Sequence, residues 1–166
     1  MGVWPVHSGI DLPATPGPAP PVTPPRFVDN GNGTIYDTVV NITLLKDANC
    51  FGLQNWVNAT AKTSALANGQ CGLSDGSKAG DWHLPSESDM LKFTSANSAT
   101  FTNLIFPIVA GFLNVQTGVY WSSDTYAPFS SHNSWFVNQG EGFTGHVAHD
   151  YEITTVGSYT WPVRGQ

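Results

Sequence analysis

The sequence predicts an α+β domain, and three observations carry that prediction. A hairpin pattern opens the folded part of the chain, two helical patterns follow in its first half, and short β-like segments punctuated by Gly, Ser, Pro and Asn occupy the second half. Helices early and strands late disfavour a doubly wound α/β sheet. A chain of 166 residues, 40% of them hydrophobic, suits one domain with one sizeable core.

Residues 12–25, LPATPGPAPPVTPP, are too rich in proline for a helix or a central strand. Residues 1–25 are therefore read as a proline-rich extension or linker, and residues 26–166 as the folded domain. Phe27 and Val28, then DNGNGT, then Ile35 and Tyr36 read as strand, turn and strand, because Asn and Gly tolerate the positive φ angles of hairpin turns. The same oxygen-rich run lacks the ligand spacing of a calcium loop.

From Asn55 the small or apolar positions Trp56, Ala59, Thr60, Thr63, Leu66 and Ala67 recur at helical spacing, and Gly69 is placed to serve as a left-handed C-cap. A second, shorter helix is expected to start at Ser86 after Pro85. Ser86 and Asp89 form its capping box, and Met90, Leu91 and Phe93 turn inward. Strands are expected around Val119–Trp121, Ser134–Asn138, His146–Ala148 and Thr160–Val163.

Charge and composition exclude several function classes. Only 11% of residues are charged and the net charge is −6, so nucleic acid and other polyanions are disfavoured partners. No apolar run approaches the ~20 residues of a membrane span; the longest, Leu104 to Leu113, is broken by Pro107 and Gly111. The opening MGVWPVHSG has neither the basic nor the apolar region of a secretory leader, which leaves both a cytosolic origin and a processed secreted one open.

Cys50 and Cys71 flank the first helix. They are either two separate reduced thiols or a disulfide stabilising the domain by roughly 3 kcal/mol, and the disulfide, with the extracellular address it implies, is preferred. No CxxC pair or adjacent His cluster suggests zinc.

From Gly118 onward the chain has no lysine and a single arginine, Arg164, but is dense in Tyr, Trp, Phe, Ser, Asn, Asp and His. Aromatic residues give rigid contact area at low entropy cost, and Ser, Asn and Gly give adaptable hydrogen bonds; this is the chemistry of a recognition surface. The candidate ligand contacts are Asp124, Tyr126, Phe129, Ser131, His132 and Asn133 in one loop, Asn138 on the following strand, and Phe143, His146, His149, Asp150 and Tyr151 in a second Gly-punctuated stretch.

A metal site built from His132, His146 and His149 with Asp124, Asp150 and Glu152 is disfavoured, since an i, i+3 pair on a β segment faces opposite ways. Ser122 and Ser123 lack a nucleophile-elbow context, so no catalytic residue and no cofactor is expected. Trp82, Trp121 and Trp161 are assigned to the core with satisfied indoles, and Arg164 to a carboxylate such as Asp81.

In order along the chain, RFVDNGNGTIYDT, LLKDANCFG, NGQCGLSDGSKAGDWHLPS, YWSSDTYA, the strand at Ser134 to Val137 and YTWPVRGQ resemble the C-terminal domain family of collagen-like bacterial adhesins. The resemblance spans Arg26 onward. It departs at His83, where the family has Arg before Leu-Pro, and at Leu44 or Leu45, where it often has Trp.

The resemblance implies a C-type-lectin-like, formylglycine-generating-enzyme-like fold of two helices on short antiparallel strands, in a secreted, surface or virion module that binds a protein or glycan. It further implies a likeness to variable proteins of diversity-generating retroelements of viruses and prokaryotes, in which template adenines are misread. An Asn codon randomised at its first two positions never yields Lys, Met, Trp, Gln or Glu. Lys and Met are missing from Asp124 to Tyr151, and Trp135, Gln139 and Glu141 are then fixed scaffold. The alternatives are an adhesin or carbohydrate-binding module of fixed specificity and, further off, an enzyme; the catalytic branch of the fold uses a cysteine pair, and this chain has none beyond Cys71.

Overall fold

The computed structural model describes residues 1–3, 25–95, 111–125, 133–138, 143–148 and 158–165, with the strands at 133–138 and 143–148 described by their backbone and the side chain of Phe136. Three strands, β1 (Phe27–Asp29), β2 (Thr34–Asp37) and β3 (Ile42–Leu45), run antiparallel, and the C-terminal β7 (Val163–Arg164) joins them in the order β1-β2-β3-β7. The hairpin read from DNGNGT is present, Asp29 pairing with Ile35 across Asn30–Gly33, with Gly31 and Gly33 at positive φ.

Helix α1 (Trp56–Ala65) is capped by Asn55, whose side-chain oxygen accepts the Asn58 N–H at 2.8 Å. It ends four residues before Gly69. Leu66 leaves the helix in an extended conformation because its side chain is fully buried in the core, and the positive φ of Gly69 serves the next turn instead, where its N–H reaches Leu73 O at 2.8 Å. Helix α2 (Glu87–Ser95) starts as expected: Ser86 Oγ accepts the Asp89 N–H at 3.1 Å and donates to the Asp89 carboxylate. Met90 is buried and Leu91 half-buried, while the Phe93 side chain lies outside the described residues.

The remaining strands, β4 (Val119–Thr125), β5 (Asn133–Asn138) and β6 (Phe143–Ala148), form a separate antiparallel sheet in that order. The principal core gathers Ile35, Ile42, Leu44, Leu45, Leu66, Trp82, Met90, Phe112, Tyr120, Trp161 and Val163. A smaller cluster of Ala59, Leu84 and Trp121, with Trp56 and Phe136 against it, lies under the second sheet. Strand β4 is the shared wall: Tyr120 goes to the first cluster and Trp121 to the second, following strand alternation.

All three core tryptophans are buried, but their indoles differ. Trp121 Nε1 donates to Gln54 O at 2.8 Å and Trp161 Nε1 to Leu45 O at 2.9 Å. Among the described residues Trp82 Nε1 finds no hydrogen-bond partner; its ring instead faces the Arg164 guanidinium at 5.1 Å, in place of the expected satisfied indole. Arg164 pairs at 2.8 Å with Asp75, whose side chain is fully buried, and not with Asp81, which accepts the Lys78 N–H. The other arginine, Arg26, forks onto Asp37, also fully buried, with contacts of 2.7 to 3.1 Å.

Cys50 and Cys71 are joined in a disulfide with Cα atoms 5.7 Å apart, and no free cysteine exists. Among the described residues no helix is long and apolar enough to cross a membrane. The proline-rich stretch other than Pro25 lies outside the described residues, as does most of Leu104 to Leu113.

Candidate recognition site

The second sheet carries the lysine-free part of the chain, and its geometry begins with how β4 is held. Pairing with β5 runs Val119 to Asn138, Tyr120 to Val137 and Trp121 to Phe136, then resumes at Thr125 with Ser134, so β4 carries extra residues at 122–124. That bulge turns toward the helix starts. Ser122 O accepts Trp56 Nε1 at 2.9 Å, Ser123 N–H reaches Pro85 O at 2.8 Å, and the Asp124 carboxylate accepts the Glu87 N–H. On its other edge Trp121 N–H reaches Tyr159 O at 3.0 Å and Tyr159 N–H reaches Val119 O at 2.7 Å.

Along β4 exposure rises at the bulge. Tyr120, Trp121 and Ser122 are fully buried, whereas Ser123 and Thr125 are exposed and Asp124 is half-buried. Burial of Ser122 leaves no access for a substrate to its hydroxyl, which accepts the Asp124 N–H at 3.2 Å.

Register then sorts the candidate contacts. Strand β4 ends at Thr125, β5 begins at Asn133, and β6 ends at Ala148, which pairs with Asn133. The last residue of β4, the first of β5 and the last of β6 thus lie at one end of the sheet, beside Asp124. His146, paired with Trp135, lies two residues from that end. Asn138 and Phe143 pair with each other at the opposite end, five residue steps along β5, or about 17 Å away. Tyr126, Phe129, Ser131, His132, His149, Asp150 and Tyr151 fall outside the described residues.

Asp124 has a structural task besides any contact with a ligand, because its charge sits at the positive start of α2. The residues that fix β4, Gln54 and Trp56 above all, were not foreseen as a pair. The available signal was Trp56 itself: a half-buried indole must find an acceptor, although sequence does not say which.

Elsewhere an open cleft of about 310 Å³ is lined by Gly31, Gly33, Lys46, Asp47, Cys71, Gly72 and Leu113. At its margin Lys46 Nζ lies 2.6 Å from Asp29; that bond, then the Gly31 N–H, hold the Asp29 carboxyl below its usual range. Among the described residues no group of His, Cys, Asp and Glu suits a metal ion, and His83 Nδ1 lies 2.9 Å from Leu84 O.

Fold and site together define a small α+β domain with a three-stranded antiparallel sheet seated on two helices. The chain matches no protein-family model and no curated protein.

Proposed function

We propose that the chain is a non-enzymatic recognition domain of C-type-lectin-like fold, which presents the end of the β4-β5-β6 sheet to a protein or glycan on a target surface. One observation supports the reading above others: the strands carrying the aromatic, lysine-free sequence bring the last residue of β4, the first of β5 and the last of β6 to a single end, next to a β4 anchored by backbone and indole hydrogen bonds. A rigid root below exchangeable residues lowers the entropy cost of binding. The disulfide fits a surface or virion module.

Within this reading the site comprises Asp124, Tyr126, Phe129, Ser131, His132, Asn133, His146, His149, Asp150 and Tyr151, while Asn138 and Phe143 form a separate margin. Diversification by a retroelement is the favoured origin, on the resemblance of the six motifs and the codon pattern. A near-identical template repeat beside the gene, differing at adenines, supports that origin; its absence leaves an adhesin of fixed specificity.

The function is tested by exchanging Tyr126, Phe129 and His132 for alanine, singly and together, and screening the original and variant domains against glycan arrays and intact target cells. A lost Tyr or Phe anchor should weaken binding by about 30-fold, equivalent to ~2 kcal/mol, with the melting temperature retained. Collapse of the fold on most such exchanges refutes the displayed-surface reading.

A further inference from the structure

We propose that the Cys50–Cys71 disulfide is a redox latch on the β4-β5-β6 sheet, open to dithiol reductants through the cleft beside Cys71. The consequence for binding rests on the recognition reading; the latch itself rests on the fold.

The covalent loop from Cys50 to Cys71 contains the whole of α1 and its approach. Two reciprocal indole-to-carbonyl hydrogen bonds tie that loop to β4: Trp56 Nε1 to Ser122 O at 2.9 Å, and Trp121 Nε1 to Gln54 O at 2.8 Å. Gln54 N–H also bonds Ser158 O at 3.0 Å, next to the Tyr159 that pairs with β4. The apolar contacts beneath the bulged part of β4 come from the small cluster of Ala59, Leu84, Trp121, Trp56 and Phe136, which is separate from the principal core. Ala59 and Trp56 of that cluster belong to α1. The bulged part of the second sheet therefore takes both its indole bonds and part of its small apolar cluster from the latched loop, whereas β2 and β3 are also held by β7 and by a principal core to which the loop adds Leu66, with Cys50, Phe51 and Cys71 packed against it.

Both cysteines are half-buried, and Cys71 lines the open cleft. Its backbone has φ 49, a left-handed conformation unfavourable for a residue with a Cβ. Cys71 lies within a turn closed by the Leu73 N–H to Gln70 O bond at 2.8 Å, which remains when the S–S bond is broken. Lys46 and Asp47 line the cleft together, so access and not charge admits the reductant.

The reaction is thiol–disulfide exchange. One thiolate of the dithiol attacks Cys71 Sγ, breaking the S–S bond and expelling the Cys50 thiolate, which takes up a proton. The second thiol of the reductant then attacks the mixed disulfide, freeing Cys71 as a thiol and closing the reductant into its own cyclic disulfide. Two electrons and two protons pass from reductant to protein.

Hydrogen exchange by mass spectrometry on the full chain tests the latch, comparing oxidised protein, protein reduced with dithiothreitol without denaturant, and oxidised Trp56→Phe, which keeps a ring and loses the N–H. Thiol counting establishes reduction. Reduction should speed exchange in 119–125 and 133–138 by about tenfold or more while 34–37 and 42–45 change less than about threefold, and Trp56→Phe should reproduce part of the effect in the oxidised state. Equal acceleration in both sheets, an unchanged second sheet, or a bond that resists dithiothreitol until the protein unfolds each overturns the proposal. None of these readouts uses a ligand, so failure of the latch and failure of the recognition reading are separable.

Discussion

Alanine in place of Gly33 puts a methyl group against backbone. A Cβ there meets Gly72 O at 2.4 Å, Gly72 C at 2.8 Å and Leu73 Cα at 3.0 Å, and Gly33 has φ +85. The conformation alone costs a non-glycine residue about 1 kcal/mol. The overlap cannot be relieved by swinging a side chain aside, so the Asn30–Gly33 turn must withdraw from the Gly69–Leu73 turn. Withdrawal strains two 2.9 Å backbone hydrogen bonds, Ser74 N–H to Asn32 O and Lys46 N–H to Gly33 O, each contributing about 1 kcal/mol.

A total loss of about 3 kcal/mol is expected, or a fall of roughly 10 °C in melting temperature. Gly31→Ala is the matched control, since Gly31 has φ +71 but open space around its Cβ position; it should lose only about 1 kcal/mol. Urea unfolding of both variants with the disulfide intact measures the difference. If the two variants lose the same stability to within about 0.5 kcal/mol, the docking of the two turns is not what makes Gly33 necessary.

Other expectations concern charge and burial. Arg164→Met should cost about 2–3 kcal/mol by leaving the fully buried Asp75 carboxylate without its cation, the low end applying because Arg164 is 28% exposed; adding Asp75→Asn should recover part of it in a double-mutant cycle followed by denaturant unfolding. Arg26→Lys loses the two-pronged contact to Asp37 and should lower stability by about 1–2 kcal/mol in the same assay. Burial pushes the Tyr120 phenol well above its ordinary value of 10.0, against the opposing Gln116 N–H. The folded state then holds the proton more tightly than the unfolded one, so this stabilisation is complete below about pH 10 and declines above it, and a stability–pH profile of Tyr120→Phe should fall less steeply there.

Local chemistry explains what was legible. The hairpin follows from Asn and Gly around residues 30–33, the starts of both helices from Asn55 and Ser86, and the existence of strands late in the chain from short β-like segments separated by Gly, Ser, Pro and Asn; all three features depend on neighbours within a few residues. The end of α1 was misjudged because Leu66 is drawn into a core assembled from strands on either side of it in the chain, and that burial outweighs continuation to Gly69. The preference for a bridge between Cys50 and Cys71 could be argued from spacing, but their proximity is a property of the folded chain.

The candidate site shows the same division. Its residue types were visible as composition, since a lysine-free run of aromatics and small polar residues needs no fold to be recognised. Which of them share an end of the sheet was not, because register between β4, β5 and β6 depends on a bulge at 122–124 that satisfies Trp56, Pro85 and Glu87, each bonded across 37 or more positions. Arg164 illustrates the limit: any carboxylate satisfies its charge, yet the one paired with it among the described residues is the buried Asp75, together with the face of Trp82. Residue chemistry thus prescribes what each group requires, and tertiary packing selects the partner, since desolvation makes one of many chemically equivalent partners far more consequential than the rest.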